Sequence, residues 1–223
     1  MQVKLISHSF PSRQSLSLDL QDLVAYCARV SNPNNQNNKD TSDKLIKYLI
    51  KNKHWSPLEM VSACIEIETT RDIARQILRH RSFSFQEFSQ RYADPKDQGD
   101  MFEYSEARLQ DTKNRQNSVD TENVELHHQW IEAQEEVAKL AKEKYDWAIE
   151  NGIAKELARK VLPEGNTKTT LYMNGTLRSW IHYIDLRSAN GTQKEHMNIA
   201  IACAKVIADV FPLANELFQD NEI

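Results

Sequence analysis

A chain of 223 residues with a formal net charge of −4 is long enough to bury one core and too acidic to hold nucleic acid by bulk electrostatics. No apolar run is long enough to span a bilayer, and the segment from Met1 to His8 lacks the apolar region of a signal peptide. A cytoplasmic protein with no membrane and no nucleic-acid partner is therefore expected. Cys27, Cys64 and Cys203 lie far apart, which suits a reducing compartment and offers no metal framework. Their apolar neighbours mark each as a buried structural thiol.

In chain order, Val3 to Phe10 reads as a strand and Asp22 to Val30 as a short helix carrying Leu23, Val24, Tyr26 and Cys27. The asparagine-rich stretch from Asn32 to Asn38 reads as a mobile connection. Leu45, Ile46, Leu49 and Ile50 predict a helix from about Ser42 that ends before His54-Trp55-Ser56-Pro57. Val61, Ala63, Ile65 and Ile67 then alternate with Ser62, Cys64, Glu66 and Glu68, the period of a half-buried strand. Ile73, Ile77 and Leu78 share one face of a helix from Asp72 to His80, and the segment beyond it reads as a loop.

Residues 93 to 121 are polar, with Pro95 and Gly99, and read as a long excursion. Val124 to Ile149 predicts a long amphipathic helix with Trp130, Val137, Leu140, Ala141 and Ala148 on its buried side, stopped by Asn151-Gly152. Ile153 to Leu162 is a further helix closed by Pro163, and Thr176 to Leu186 another. Thr192-Gln193-Lys194-Glu195 has capping-box form and opens a last helix through Met197, Ile201, Ile207 and Val210. No repeat or linker interrupts the chain, so residues 1–223 read as one helix-rich α+β domain.

The segment Arg79 to Arg91 concentrates three arginines, His80, Glu87 and several hydroxyls. Arginine presents a planar fork of donors suited to phosphate and carboxylate oxygens. A solvated basic surface with local salt bridges is the other reading of this composition. Arg79-His80-Arg81, followed by Ser84, Ser89 and Arg91, fills every fixed position of Arg-His-Arg-x-x-Ser-x-x-x-x-Ser-x-Arg. That signature resembles the hallmark of the flavin-dependent thymidylate synthases. Other matching segments extend the resemblance from about Cys27 to Arg187. They are His54-Trp55-Ser56-Pro57-Leu58-Glu59, Ala158-Arg159-Lys160-Val161-Leu162-Pro163, and the stretch from Asn174 to Arg187.

The resemblance implies a small antiparallel sheet surrounded by helices, assembled as a homotetramer with active sites shared between subunits. It implies reductive methylation of dUMP to dTMP, with methylenetetrahydrofolate as carbon donor and NADPH as reductant through FAD. It assigns Gln76, Glu87, Ser89, Gln90, Arg91, Arg159 and Arg187 to dUMP, although some relatives carry glycine at the Gln90 position. It assigns Ser31, His54, Ser56, Glu59, Arg79, His80, Arg81, Arg178 and His182 to FAD. On local chemistry Ser56 and Glu59 could instead cap a helix begun by Pro57, and His80 could be a structural histidine. No cysteine falls in the signature, which fits a route without an enzyme thiol. Arg187 is then the expected catalytic residue, meeting negative charge that develops on the uracil ring. A non-catalytic nucleotide- or flavin-binding protein on the same scaffold is the alternative. RNA binding through the Arg-His-Arg cluster is disfavoured by the acidic net charge.

Overall fold

The computed structural model describes residues 2–12 and 19–217, so the two ends of the expected 1–223 domain and residues 13–18 lie outside the described residues. Strand β1 (Gln2–His8) leads to helix α1 (Leu20–Ala28), whose first turn is capped by Asp19 accepting from the Asp22 backbone N–H at 2.7 Å. Helix α2 (Ser42–Lys51), strand β2 (Ser62–Thr70), helix α3 (Arg71–Ile77) and strand β3 (Phe83–Glu87) follow. A small hairpin pairs β4 (Arg108–Gln110) with β5 (Ser118–Asp120). Then come α4 (Val124–Glu150), α5 (Lys155–Ala158), β6 (Lys168–Thr176), α6 (Leu177–Ser188), α7 (Lys194–Ala208) and α8 (Ala214–Leu217).

The four long strands form one antiparallel sheet in the order β1-β2-β6-β3. Alternation fixes its two faces. Ala63, Ile65 and Ile67 of β2, with Leu171 and Met173 of β6, are buried beneath the helices. The opposite face carries Lys4, Glu66, Glu68 and Tyr172, with Lys4 Nζ 3.1 Å from Glu66 and 3.5 Å from Glu68. Trp180 and Tyr183 of α6, Ile199, Cys203 and Ile207 of α7, and Ile73 and Ile77 of α3 fill the main core. Each such side chain contributes about 1.5–3 kcal/mol by leaving water. The Trp180 indole N–H donates to the Ala63 carbonyl at 3.0 Å, tying α6 to β2. No helix among the described residues is long and apolar enough to cross a membrane.

Several sequence expectations are corrected. The segment after α3 is a strand, not a loop. Phe83, Phe85 and Glu87 point inward while Ser84 and Gln86 point out, and the short apolar run concealed that alternation. Strand β6, the sheet's central partner, lies in a threonine-rich segment that carried no expected element. The connection from Asn32 to Asn38 is tied down: buried Arg29 donates to the Asn38 carbonyl, and to Thr41 Oγ1 at 2.8 Å. The polar excursion is also built in. Phe102 bridges Thr167, and the hairpin is fastened to α7 by Arg108–Glu195 and by Lys194 with Glu106 at 2.7 Å and Asp120 at 2.9 Å. Glu195 is thereby drawn away from the capping box, which does not form. Helix α4 buries Gln134, Ala138, Ala141, Tyr145 and Ala148, whereas Trp130, Val137 and Leu140 are exposed on the single chain.

Candidate active site

Helix α3 ends at Ile77, and a turn in which the His80 N–H donates to the Ile77 carbonyl at 3.1 Å swings His80 against α6. There the Arg187 Nε–H donates to His80 Nε2 at 2.9 Å, and the His80 ring meets Tyr183 edge-on with centroids 4.9 Å apart. Accepting at Nε2 places the proton of the neutral imidazole at Nδ1. Burial first, then the guanidinium groups of Arg187 and Arg79, lower the His80 pKa to about 4. His80 is therefore a neutral acceptor for Arg187. This is a specific role that the sequence left between flavin contact and structural histidine.

Gln76 lies one turn before His80, and its carboxamide joins α3 to α7. Its Oε1 is 3.3 Å from His196 Nδ1, and its Nε2 donates to Gln193 Oε1 at 2.7 Å. His196 Nε2 is 3.1 Å from the Tyr183 hydroxyl. Neither His196 nor Gln193 was anticipated. A lone histidine on an apolar helix face carries no signal that separates a polar junction from an ordinary core position.

Glu87 ends β3 on the inward face of the sheet. It pairs with buried Arg71 at 3.3 Å and Arg75 at 3.8 Å, and accepts from Thr169 Oγ1 at 3.1 Å. Arg71 and Arg75 also line a cleft of about 250 Å³ with Gln90, Arg159, Lys160 and Glu164. Cations outnumber carboxylates along its wall, as an anion site requires. Gln90 is only 3 % exposed, and its amide nitrogen has no hydrogen-bond partner among the described residues. A buried donor left unpaired costs about 1–3 kcal/mol, which a ligand acceptor would relieve. Ser89 and Arg91 line a second hollow with Tyr92 and Lys155, where Arg91 Nε is 3.3 Å from Glu156.

A further group gathers around the start of α6. Arg178 pairs with Glu59, and His182 meets Trp55 edge-on with centroids 4.4 Å apart. Burial, and then Arg178, lower the His182 pKa. Ser56 and Glu59 do not cap the short turn that they flank, since Glu59 is held by Arg178. Exposed His54 stands beside the Tyr48 ring at 6.1 Å. Thr176 caps α6, accepting from the Ser179 N–H at 3.3 Å. Arg79 and Arg81 are exposed on the turn after α3 and form no ion pair among the described residues, so both are open to an anion. Ser31, exposed after α1, makes no hydrogen bond to the other candidates among the described residues. The site residues thus fall into separate groups on one chain.

The three cysteines are free thiols, and burial raises the pKa of each. None is poised as a thiolate nucleophile. Among the described residues no three His, Cys, Asp or Glu side chains gather as a metal site.

Residues 15–213 match the family profile described as "Thymidylate synthase complementing protein". The chain is 49 % identical over 212 residues to a probable flavin-dependent thymidylate synthase of Paramecium bursaria Chlorella virus 1, covering 95 % of this chain and 96 % of that one. It is 50 % identical over 195 residues to a flavin-dependent thymidylate synthase of Synechocystis, covering 87 % of each. Its fold is similar to that of a UMP/dUMP methylase, PolB, from Streptomyces cacaoi, with a TM-score of 0.79, 24 % identity, and coverage of 98 % of this chain and 94 % of that one.

Proposed function

This chain belongs to the flavin-dependent thymidylate synthase family, and from that premise we propose that it converts dUMP to dTMP with methylenetetrahydrofolate, NADPH and FAD. The carrying observation is the Arg187–His80 pair. One N–H of the guanidinium is committed to a neutral protein acceptor, and the terminal N–H groups are left for a ligand. Arg187 is the catalytic residue in this reading. Its charge stabilises the negative charge that develops on the uracil ring as position five becomes nucleophilic.

Gln76, Glu87, Ser89, Gln90, Arg91 and Arg159 hold the nucleotide. The cationic cleft with the unpartnered Gln90 amide supports this, because it suits a monoester phosphate. The donor set at Arg79, Arg81, Arg178, His182, His54 and Ser56, with Glu59 and Ser31, fits a flavin dinucleotide, whose diphosphate calls for cations such as Arg79 and Arg81 that form no ion pair among the described residues. When bound, FAD supplies the redox chemistry that links NADPH to the transferred carbon. No cysteine adduct is required, in keeping with the raised thiol pKa values. Free thiols also suit a cytoplasmic location.

The chain works as a homotetramer with active sites shared between subunits. Two observations support this: the candidate residues fall into separate groups on one chain, and an apolar row lies uncovered on α4. The deciding measurement is tritium release from dUMP labelled at uracil position five. Release that needs FAD, NADPH and methylenetetrahydrofolate together is the expected result. No release from folded, flavin-loaded protein would instead mark a non-catalytic nucleotide- or flavin-binding protein.

A further inference from the structure

We propose that His196 is a positioning residue that fixes which hydrogen bond Gln76 offers the nucleotide, an inference that rests on the reading of Gln76 as a dUMP contact. His196 is fully buried on the inward face of α7, so both ring nitrogens must be satisfied by protein groups. Its Nε2 is 3.1 Å from the Tyr183 hydroxyl and its Nδ1 is 3.3 Å from Gln76 Oε1. Gln76 Nε2 in turn donates to Gln193 Oε1 at 2.7 Å. Four side chains, from α3, α6, α7 and the residue that precedes α7, thus form one chain of hydrogen bonds.

Tyr183 sets the direction of that chain. The phenol is buried, and His196 is its one hydrogen-bond partner among the described residues, so its O–H must donate to Nε2. The imidazole proton then lies at Nδ1 and donates to Gln76 Oε1. With its oxygen held there, the Gln76 amide turns its nitrogen to Gln193. Flipping the amide would set two N–H groups against each other at buried His196. Reversing the whole chain would strand the buried phenolic proton. Gln76 is therefore held in one orientation, and one N–H of its amide remains for an acceptor on dUMP. Burial lowers the His196 pKa to about 3, with Arg187 and His80 adding to the effect. The ring accordingly stays neutral with a single proton.

The test uses flavin-loaded enzyme, reading dUMP Kd from the flavin absorbance change, and kcat and KM from tritium release. H196L removes the Nδ1–H, H196N restores a donor near that atom, and Y183F removes the proton that sets the direction. We expect H196L to weaken dUMP binding about 10-fold, H196N to stay within about 3-fold of the parent, and Y183F to cost about 3-fold. KM should rise more than kcat falls. In a Q76A background H196L should add less than about 2-fold, because nothing remains to position. An unchanged Kd in H196L, or the same 10-fold loss with Q76A already in place, overturns the proposal alone. An unchanged Kd in Q76A overturns the reading of Gln76 and the proposal with it. Should H196L fail to fold, Y183F replaces it in the cycle, and a Y183F penalty that persists in Q76A overturns the proposal.

Discussion

Arg187 gives its Nε–H to His80, and that bond restricts where the terminal N–H groups of the guanidinium can point. Lysine has no equivalent of Nε–H beside a planar fork, so Arg187→Lys cannot keep both the anchor and the charge in place. Arg187→Ala is expected to lower turnover at least about 100-fold, and Arg187→Lys to recover little of it, while both retain flavin. Single-turnover rates beside the flavin absorbance of purified variants check this; lost flavin with retained turnover would contradict it. The two buried histidines make a second residue-level prediction. Burial, with neighbouring cations, lowers the pKa of folded His80 to about 4 and of folded His196 to about 3, below an unfolded value of about 6.5. Above that value both states are neutral and the pair is silent. As pH falls through it, the unfolded chain takes up protons that the folded chain does not, and stability declines. Thermal melts at about pH 7.5 and about pH 5.5 should show a drop in Tm that is smaller in H196N. The signature arginines and Glu87 were legible because charged residues at fixed spacing leave a recognisable pattern. His196, Gln193 and Arg71 were not, because each owes its role to a neighbour distant in sequence.

At the scale of elements, the junction of β3 and β6 carries the most consequence for the site. Gly175 faces Phe83 across the ladder, and a Cβ at Gly175 would lie 2.4 Å from the Phe83 ring. That ring is hemmed in by Trp180 at 4.8 Å and Tyr183 at 5.9 Å, so it has no room to yield. Gly175→Ala should destabilise the protein by about 1–3 kcal/mol through overpacking and tilt the edge strand that ends in Glu87. Denaturant melts and dUMP titration of the variant check both effects, and an unperturbed Kd would separate strand position from nucleotide binding. Helices α1 and α2 and strand β2 were readable from periodicity because fully buried positions recur in each at regular steps among less buried ones. Strand β6 was not. Its polar threonines and Gly175 resemble a turn region, although Thr169 is buried by what packs over it. For α4 the element was correct, and so were Ala141 and Ala148 on its buried side, but Trp130, Val137 and Leu140 were placed on the wrong face. Small residues and Tyr145 pack inward, where size and not hydrophobicity alone decides what fits.

At the scale of the whole molecule, helix α4 leaves an apolar row uncovered. Trp130, Val137, Leu140 and Trp147 on α4 are each about half exposed, at 47 %, 55 %, 55 % and 57 %. They recur at alternating steps of seven and three residues, the seam of helices that pack side by side. A single chain in water has no reason to display such a row, whereas a subunit does. Leu140→Glu should leave the fold of each chain intact, since the side chain is exposed there, yet break the tetramer proposed above and abolish turnover together. Light scattering and circular dichroism would read the two effects separately; an intact tetramer would move the interface elsewhere. The sheet order carries a different consequence, one that concerns how the protein is made. Glu87, at the end of the signature strand, meets Thr169 across a separation of 82 residues, and among the described residues β3 borders no other strand than β6. A ribosome therefore finishes the Arg-His-Arg signature long before it delivers the strand that gives the signature its shape. Until β6 emerges, β1 and β2 can already pair, while the signature remains an unpaired edge exposed to solvent and to chaperones. Competence to bind ligand arrives late in synthesis, and nearly all at once.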